Sequence, residues 1–241
     1  MSKERLSTGS YDLNKWLYGG YEKDIITMIA GSPGSGKTNF AILAACSQAK
    51  KGCKVLFIDT EGGFSVDRVK QISGEKSEEI LNNIFILKPT NFKEQMEVIN
   101  NLKTKIKKDS ISLVVIDGIA MLYRLELGDN RKDDEEVRRI NQEVSRQMRD
   151  LAEIARKMEI PVIITNQVYS QFLSEEDLRK GVEKETNIVG GDLFKYWSKC
   201  IIKLSNDNKK RKADLVKHRF LPEKEIFFEI RNEGIFKRGW I

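Results

Sequence analysis

Residues 24–40 read DIITMIAGSPGSGKTNF, and the chain continues AILAACSQAKKG to residue 52. Residues 24–30 are a short apolar run with β-branched members, too brief for a helix and closed by glycines. From Asn39 the texture becomes helical until Gly52, which predicts strand, loop and helix in succession. The loop itself, Gly31-Ser32-Pro33-Gly34-Ser35-Gly36-Lys37-Thr38, is a complete G-x-x-x-x-G-K-[ST] pattern in the context its mechanism requires. Its glycines permit a tight turn that aims successive backbone N–H groups at one anion. Lys37 adds a charge for the β- and γ-phosphates, the helix N-terminus adds a partial charge, and the Thr38 hydroxyl is suited to Mg²⁺. The stretch predicts a site for ATP and Mg²⁺.

Working outward, the strand and helix pattern repeats. KVLFID (54–59) precedes a helix-like stretch at 65–73, IFIL (84–87) precedes one at 91–108, and SLVVID (112–117) and PVIIT (161–165) follow. Each run is short and apolar on both faces, as in a mainly parallel sheet covered on both sides. Val137, Ile140, Val144, Met148, Leu151, Ile154 and Met158 recur at steps of three or four, which predicts a helix over 135–158. From 199 the segments CIIKLS, ADLVKH and EIFFEI, separated by NDNKKRK and LPEK, predict antiparallel strands. The fold class is α/β, a P-loop core with flanking helices and an antiparallel C-terminal end. The 241 residues suit one domain, 1–241. The long aperiodic stretches, 124–134 and 168–191, both follow strands, where parallel α/β sheets place ligands.

A phosphate loop needs a carboxylate near the metal, normally at the end of a neighbouring strand. LVVID supplies Asp117, although a strand-terminal Asp also caps turns. Hydrolysis needs a group that activates water, and Asp59-Thr60-Glu61-Gly62 offers Glu61 at the ligand-facing edge, ahead of Asp59. Acidic strand ends are ordinary in this architecture, so a structural role for both stands beside the catalytic one. Asn166-Gln167 closes the last parallel strand with amides suited to sensing a γ-phosphate and passing its presence to the following loop.

Apolar residues make up 40% and charged residues 32%, with 4 Pro and 17 Gly, a composition that excludes collagen-like and wholly disordered chains. No apolar run reaches membrane-spanning length, and MSKERLSTGS lacks the apolar segment of a signal peptide, which predicts a cytoplasmic protein without membrane contact. Three cysteines without C-x-x-C spacing and one histidine argue against disulfides and structural zinc. Net charge is +6, yet residues 195–241 hold 13 Lys/Arg against 6 Asp/Glu while residues 1–194 hold 29 against 30. A basic end on a neutral body suits a polyanion. Lys209-Lys210-Arg211-Lys212, with Lys217 and Arg219 behind, is the first candidate DNA surface, although a β-turn tip made soluble by lysines reads the same way. Arg124, Arg131 and Lys132 are the second, discounted by Asp129, Asp133 and Asp134.

Taken in order, LSTGSYDLNKWLYGGYEKDIITMIAGSPGSGKTN, IDTEGGFSVDR, LVVIDG, PVIITNQV, VGGDLFKYWSKC and HRFLPE resemble the RecA-like recombinase superfamily, nearest its archaeal members, over almost the whole chain. The resemblance implies that Glu61 is the catalytic glutamate, Gln167 the γ-phosphate-sensing glutamine, Asn39 part of the nucleotide site and Arg68 the arginine that stacks on adenine. It implies that 124–134 and 168–191 are the two DNA-binding loops and that Leu221-Pro222-Glu223 caps ATP on a neighbouring subunit. The family's N-terminal helix-hairpin-helix domain and polymerisation segment are not found ahead of the core. Lys217-His218-Arg219 replaces an acidic stretch, and the second loop is rich in Glu. The expectation is an accessory or mediator of homologous recombination and DNA repair that binds ATP and DNA and hydrolyses ATP weakly. Its expected partners are DNA, single-stranded with branched forms as a second class, a RadA-type recombinase, other recombination proteins and a second copy as a homodimer. The alternatives are a filament-forming strand-exchange recombinase and a non-hydrolysing protein scaffold.

Overall fold

The computed structural model describes residues 5–128, 133–170, 186–207 and 210–239. A two-stranded ribbon, β1 (Arg5–Leu6) with β2 (Tyr21–Glu22), brackets α1 (Tyr11–Trp16) and leads into the central strand β3 (Ile26–Gly31). The phosphate loop connects β3 to α2 (Lys37–Ala49), followed by β4 (Lys54–Asp59), α3 (Val66–Ser73), α4 (Ser77–Asn82) and β5 (Ile84–Leu87). Next come α5 (Phe92–Asn100), α6 (Leu102–Asp109), β6 (Ile111–Asp117), α7 (Met121–Leu127), the long α8 (Asp134–Met158) and β7 (Val162–Ser170). The C-terminal part holds β8 (Thr186–Ile188), α9 (Asp192–Trp197), β9 (Ser198–Asp207), β10 (Lys210–Lys217), β11 (Lys224–Arg231) and β12 (Gly234–Lys237).

The main sheet runs in the order β12-β11-β10-β9-β3-β7-β6-β4-β5. Pairing is parallel from β9 to β5 and antiparallel from β9 to β12. Side-chain alternation gives the sheet two dry faces. Val55, Phe57, Leu113 and Val115 enter one core under α2, while Leu56, Ile58, Val114 and Ile116 enter the other under α8. All eight are essentially inaccessible to water, which is why residues 55–58 and 113–116 include no polar side chain. The register sets Asp59 opposite Asp117 and Gly31 opposite Gln167, so the polar strand ends form a single edge.

Helix ends follow local chemistry. Asp133 caps α8, accepting from Glu136 N at 2.8 Å ahead of three acidic first-turn residues, and Glu159 closes it at φ 51°. The helix expected over 91–108 is instead two, α5 and α6. Asn101 ends the first and its side chain donates to Glu97 O at 2.9 Å, competing with the helical ladder. The expected loop 124–134 begins as helix, because α7 buries Leu122 and Tyr123 and is only seven residues long, too short to show a period. The expected loop 168–191 opens and closes as strand, since β7 reaches Ser170 and pairs antiparallel with β8. Among the described residues no helix is long and apolar enough to cross a membrane.

Candidate nucleotide site

The phosphate loop turns tightly because its glycines are sterically required. A Cβ on Gly31 would lie 2.4 Å from Ser35 Oγ and 2.8 Å from Leu204 O, and Gly36 stands at φ 111°. Gly36 caps α2 without a side-chain acceptor, so the first-turn amides of this 13-residue helix are not taken up by a cap. Lys37 reaches back over the loop, its Nζ donating to Gly31 O at 3.0 Å and Ser32 O at 3.1 Å. Burial draws its ammonium below the usual lysine range, against the pull of Glu61 and Asp117. Ser35 Oγ is buried with no hydrogen-bond partner. An oriented set of amides, a buried ammonium and an unpartnered hydroxyl fit a phosphate chain.

Thr38 Oγ1 donates to Asp117 Oδ2 at 2.8 Å, joining the start of α2 to the end of β6. The other carboxylate oxygen, Oδ1, accepts from Thr165 Oγ1 at 2.6 Å, and Thr165 in turn accepts from Gly118 N at 2.7 Å. Asp117 is fully buried, which raises its pKa; the two threonine hydroxyls oppose the rise, and Glu61 and Asp59 add to it. A hydroxyl and a carboxylate in contact at one edge are the donor types a Mg²⁺ ion takes. Thr165 was not among the expected site residues; a polar residue closing the PVIIT run was its one visible signal.

Asp59 and Glu61 separate in role. Both Asp59 oxygens accept backbone amides at 3.0 Å, from Gly63 and Phe64, so Asp59 shapes the turn that presents Glu61. Gln167 Nε2 donates to Glu61 Oε1 at 3.1 Å, and Arg124 Nη1 donates to Gln167 Oε1 at 3.3 Å. These groups line a half-open cavity of about 270 Å³ with Gly118, Met121 and Asn166. Asn166 Nδ2 donates to Val189 O at 2.9 Å, anchoring the middle of β7 to the segment after β8.

Arg68 bridges rather than projecting freely. Its Nε donates to Asn39 Oδ1 at 2.7 Å and its Nη1 to Asn232 O at 3.1 Å, while Nη2 is buried without a partner. The guanidinium therefore sits between the start of α2 and the β11–β12 turn, and Asn232 joins the site unannounced by any local pattern.

The basic candidates disperse. Arg124 lies at the site, and Lys210 is exposed where β10 begins. Arg211 Nε is buried without a partner, and Lys212 pairs with Asp214 at 3.0 Å and Glu225 at 3.3 Å. Arg131, Lys132 and Lys209 lie outside the described residues. Lys217 and Arg219 do not extend this surface. Lys217 Nζ donates to Lys195 O at 2.7 Å, and Arg219 pairs with Asp24 at 2.8 Å and Glu22 at 3.1 Å.

With this geometry in place, the Rad51 family model matches residues 3–238. The chain belongs to the Rad51 family. Relatives include the DNA repair and recombination protein RadB of Methanobrevibacter smithii, 42% identical over 228 residues and 92% of each chain. That of Methanosphaera stadtmanae is 40% identical over 239 residues, 98% of this chain and 97% of its own. A solved structure described as that of the RadB recombinase superimposes with a TM-score of 0.76 at 37% identity, over 95% of this chain and 98% of the other. The Rad51-family match spans every strand end that carries the site.

Proposed function

We propose that this chain is an ATP-binding and DNA-binding accessory or mediator in archaeal homologous recombination and DNA repair, with slow ATP hydrolysis. The observation that carries the reading is the convergence of Lys37, Thr38, Asp117, Glu61 and Gln167 at the ends of β3, β4 and β6 and at the point where β7 leaves β3. Their chemistry divides cleanly: the loop amides and Lys37 hold the phosphates, and Asn39 and Arg68 hold the base end. Thr38 and Asp117 are the residues that would hold Mg²⁺, which supplies charge neutralisation on the phosphates when bound. Glu61 orients a water and accepts its proton while the water oxygen bonds to the γ-phosphorus. The bond from that phosphorus to the β–γ bridging oxygen breaks, and ADP leaves with the electron pair. The names of the relatives support recombination and repair as the setting, with DNA, a RadA-type recombinase and other recombination proteins as partners.

Slow turnover is supported by Gln167, whose amide occupies one oxygen of Glu61 in the resting arrangement. The accessory role is supported by the commitment of Lys217 and Arg219 to contacts within the subunit. The test is ATP turnover by the wild type and Lys37→Ala with and without single-stranded DNA across a salt series. Slow, DNA-responsive turnover that Lys37→Ala abolishes is the expected result. Fast turnover together with unaided strand exchange would overturn the accessory role.

A further inference from the structure

Gly118 and Ile119, directly after Asp117, spend every backbone polar group on a fixed partner. Gly118 N donates to Thr165 Oγ1 at 2.7 Å and Ile119 N to Thr165 O at 3.1 Å, while Gly118 O accepts from Thr60 Oγ1 at 2.8 Å. Ala120 O opens the ladder of α7 by accepting from Arg124 N, and the carbonyl before it, Ile119 O, is taken by a side chain: Gln95 Nε2 on α5 donates to it at 3.3 Å. The turn is the wall against which Glu61 rests, since there is no room for a Cβ between Gly118 and Glu61 Cγ. Thr60 and Thr165 hold this wall from the strands, and Gln95 holds it from the helical layer.

Gln95 is itself oriented. Ile119 O only accepts, so the Gln95 NH₂ must face it, and the second N–H goes to Gln147 Oε1 on α8 at 2.9 Å. Both side chains are 1% exposed, and every other buried residue of α5 and α8 is apolar. The arrangement leaves Gln95 Oε1 and Gln147 Nε2 buried without a partner among the described residues. Two apolar side chains in their place would strand only Ile119 O, so the pair brings the core no net gain in satisfied groups. A costly polar pair in an apolar layer points to a task other than stability.

We propose that Gln95 is a positioning residue for ATP hydrolysis, with Gln147 orienting its amide, and that the two keep the turn after Asp117 seated against Glu61. When Gln95 is removed, Ile119 O is a buried carbonyl without a donor. It turns toward another partner and carries Gly118 with it, so the support of Glu61 shifts on one side and the Asp117 carboxylate on the other. This rests on the ATPase reading above and adds two residues from the helical layer behind the site, neither of which touches nucleotide. It also separates two quantities that a purely structural pair would move together: turnover falls where stability does not.

The experiment compares wild type, Gln95→Met, Gln147→Met and the double variant, since methionine fills the space of glutamine without its amide. Gln95→Met and the double variant are expected to show kcat lowered about five- to tenfold, the size of one hydrogen bond, with KM for ATP within about twofold. Gln147→Met leaves Gln95 within reach of Ile119 O, and its kcat should stay within about twofold of wild type. Thermal melts should order differently: Gln95→Met lowest, because it strands the whole Gln147 amide, and the double variant at or above wild type. A double variant that turns over ATP at the wild-type rate, or that melts below Gln95→Met, would overturn the proposal and leave the pair a structural bridge. If no form turns over ATP, the hydrolysis reading fails, and the positioning is judged separately by amide hydrogen exchange at Gly118 and Ile119, read by NMR. Exchange there about five- to tenfold faster in the double variant than in wild type, with the melting temperature undiminished, would support it. Equal exchange rates in the two proteins would overturn it.

Discussion

Gly118 stands at φ 85° directly after Asp117, and a Cβ there would lie 2.5 Å from Glu61 Cγ and 2.9 Å from Glu61 Oε1. Gly118→Ala therefore strains the backbone and pushes the base aside. Turnover should fall by about 100-fold with KM for ATP little changed, since displacement of a reacting group by about 1 Å costs that much; steady-state kinetics checks it. Asp117 makes a prediction of the opposite sign on stability. Burial raises its folded pKa, so its contribution to stability is full below the ordinary carboxylate value and is lost as pH rises through the raised one. At neutral pH the ligand-free protein carries this cost, and Asp117→Asn removes it. The variant should melt about 2–4 °C higher, the effect of roughly 1 kcal/mol in a chain of this length, and should lose the stabilisation that ATP with Mg²⁺ confers. Thermal melts at pH 7, with the gain shrinking as pH falls toward 4, would settle both parts.

At the scale of elements, what a sequence discloses depends on how local the cause is. β4 and β5 fall at the bounds their apolar runs set, and α8 matches its three-and-four periodicity, because burial alone decides them. The phosphate loop is equally legible, since one contiguous pattern builds it. The break at Asn101 and the helix α7 were not, one depending on a side-chain bond and the other on packing of Tyr123 against Phe92 and Phe194. Thr165 and Asn232 enter the site only through strand register and a distant turn, which no local pattern encodes. The same non-local pairing divides the basic run at β10. Lys210 is exposed, whereas Lys212 is already paired across the sheet with Glu225 and along its own strand with Asp214. Lys210→Ala should lower the slope of log affinity against log salt for DNA by about 1, and Lys212→Ala by clearly less. Fluorescence anisotropy titrations between about 50 and 200 mM salt measure both slopes.

Across the whole molecule, the N-terminal ribbon and the turn between β10 and β11 are joined by charge. Arg219 holds Asp24 and Glu22, and Arg5 reaches Glu22 while stacking over Phe220. The C-terminal excess of basic residues therefore overstates what a polyanion meets there, because Arg219 is balanced by residues nearly two hundred positions away. His218 lies inside this junction with its side chain only 2% exposed, and its Nδ1 accepts from Phe220 N at 3.4 Å and Leu221 N at 3.3 Å. An accepting Nδ1 cannot carry a proton, so the junction as built requires the neutral ring. Burial lowers its pKa first, with Arg5, Arg219 and Lys224 adding to the shift and Glu22 opposing it. The unfolded chain then binds the proton more tightly than the folded one. Stability from this residue is present above the ordinary histidine value near 6.5 and is lost as pH falls through the lower folded value. Asp117 acts oppositely in acid, so the histidine is isolated by difference: urea midpoints of the wild type should fall relative to those of His218→Gln as pH is lowered from about 7.5 to 5.5. Parallel midpoints across that range would mean that the join between the two ends of the chain is indifferent to the ring's protonation.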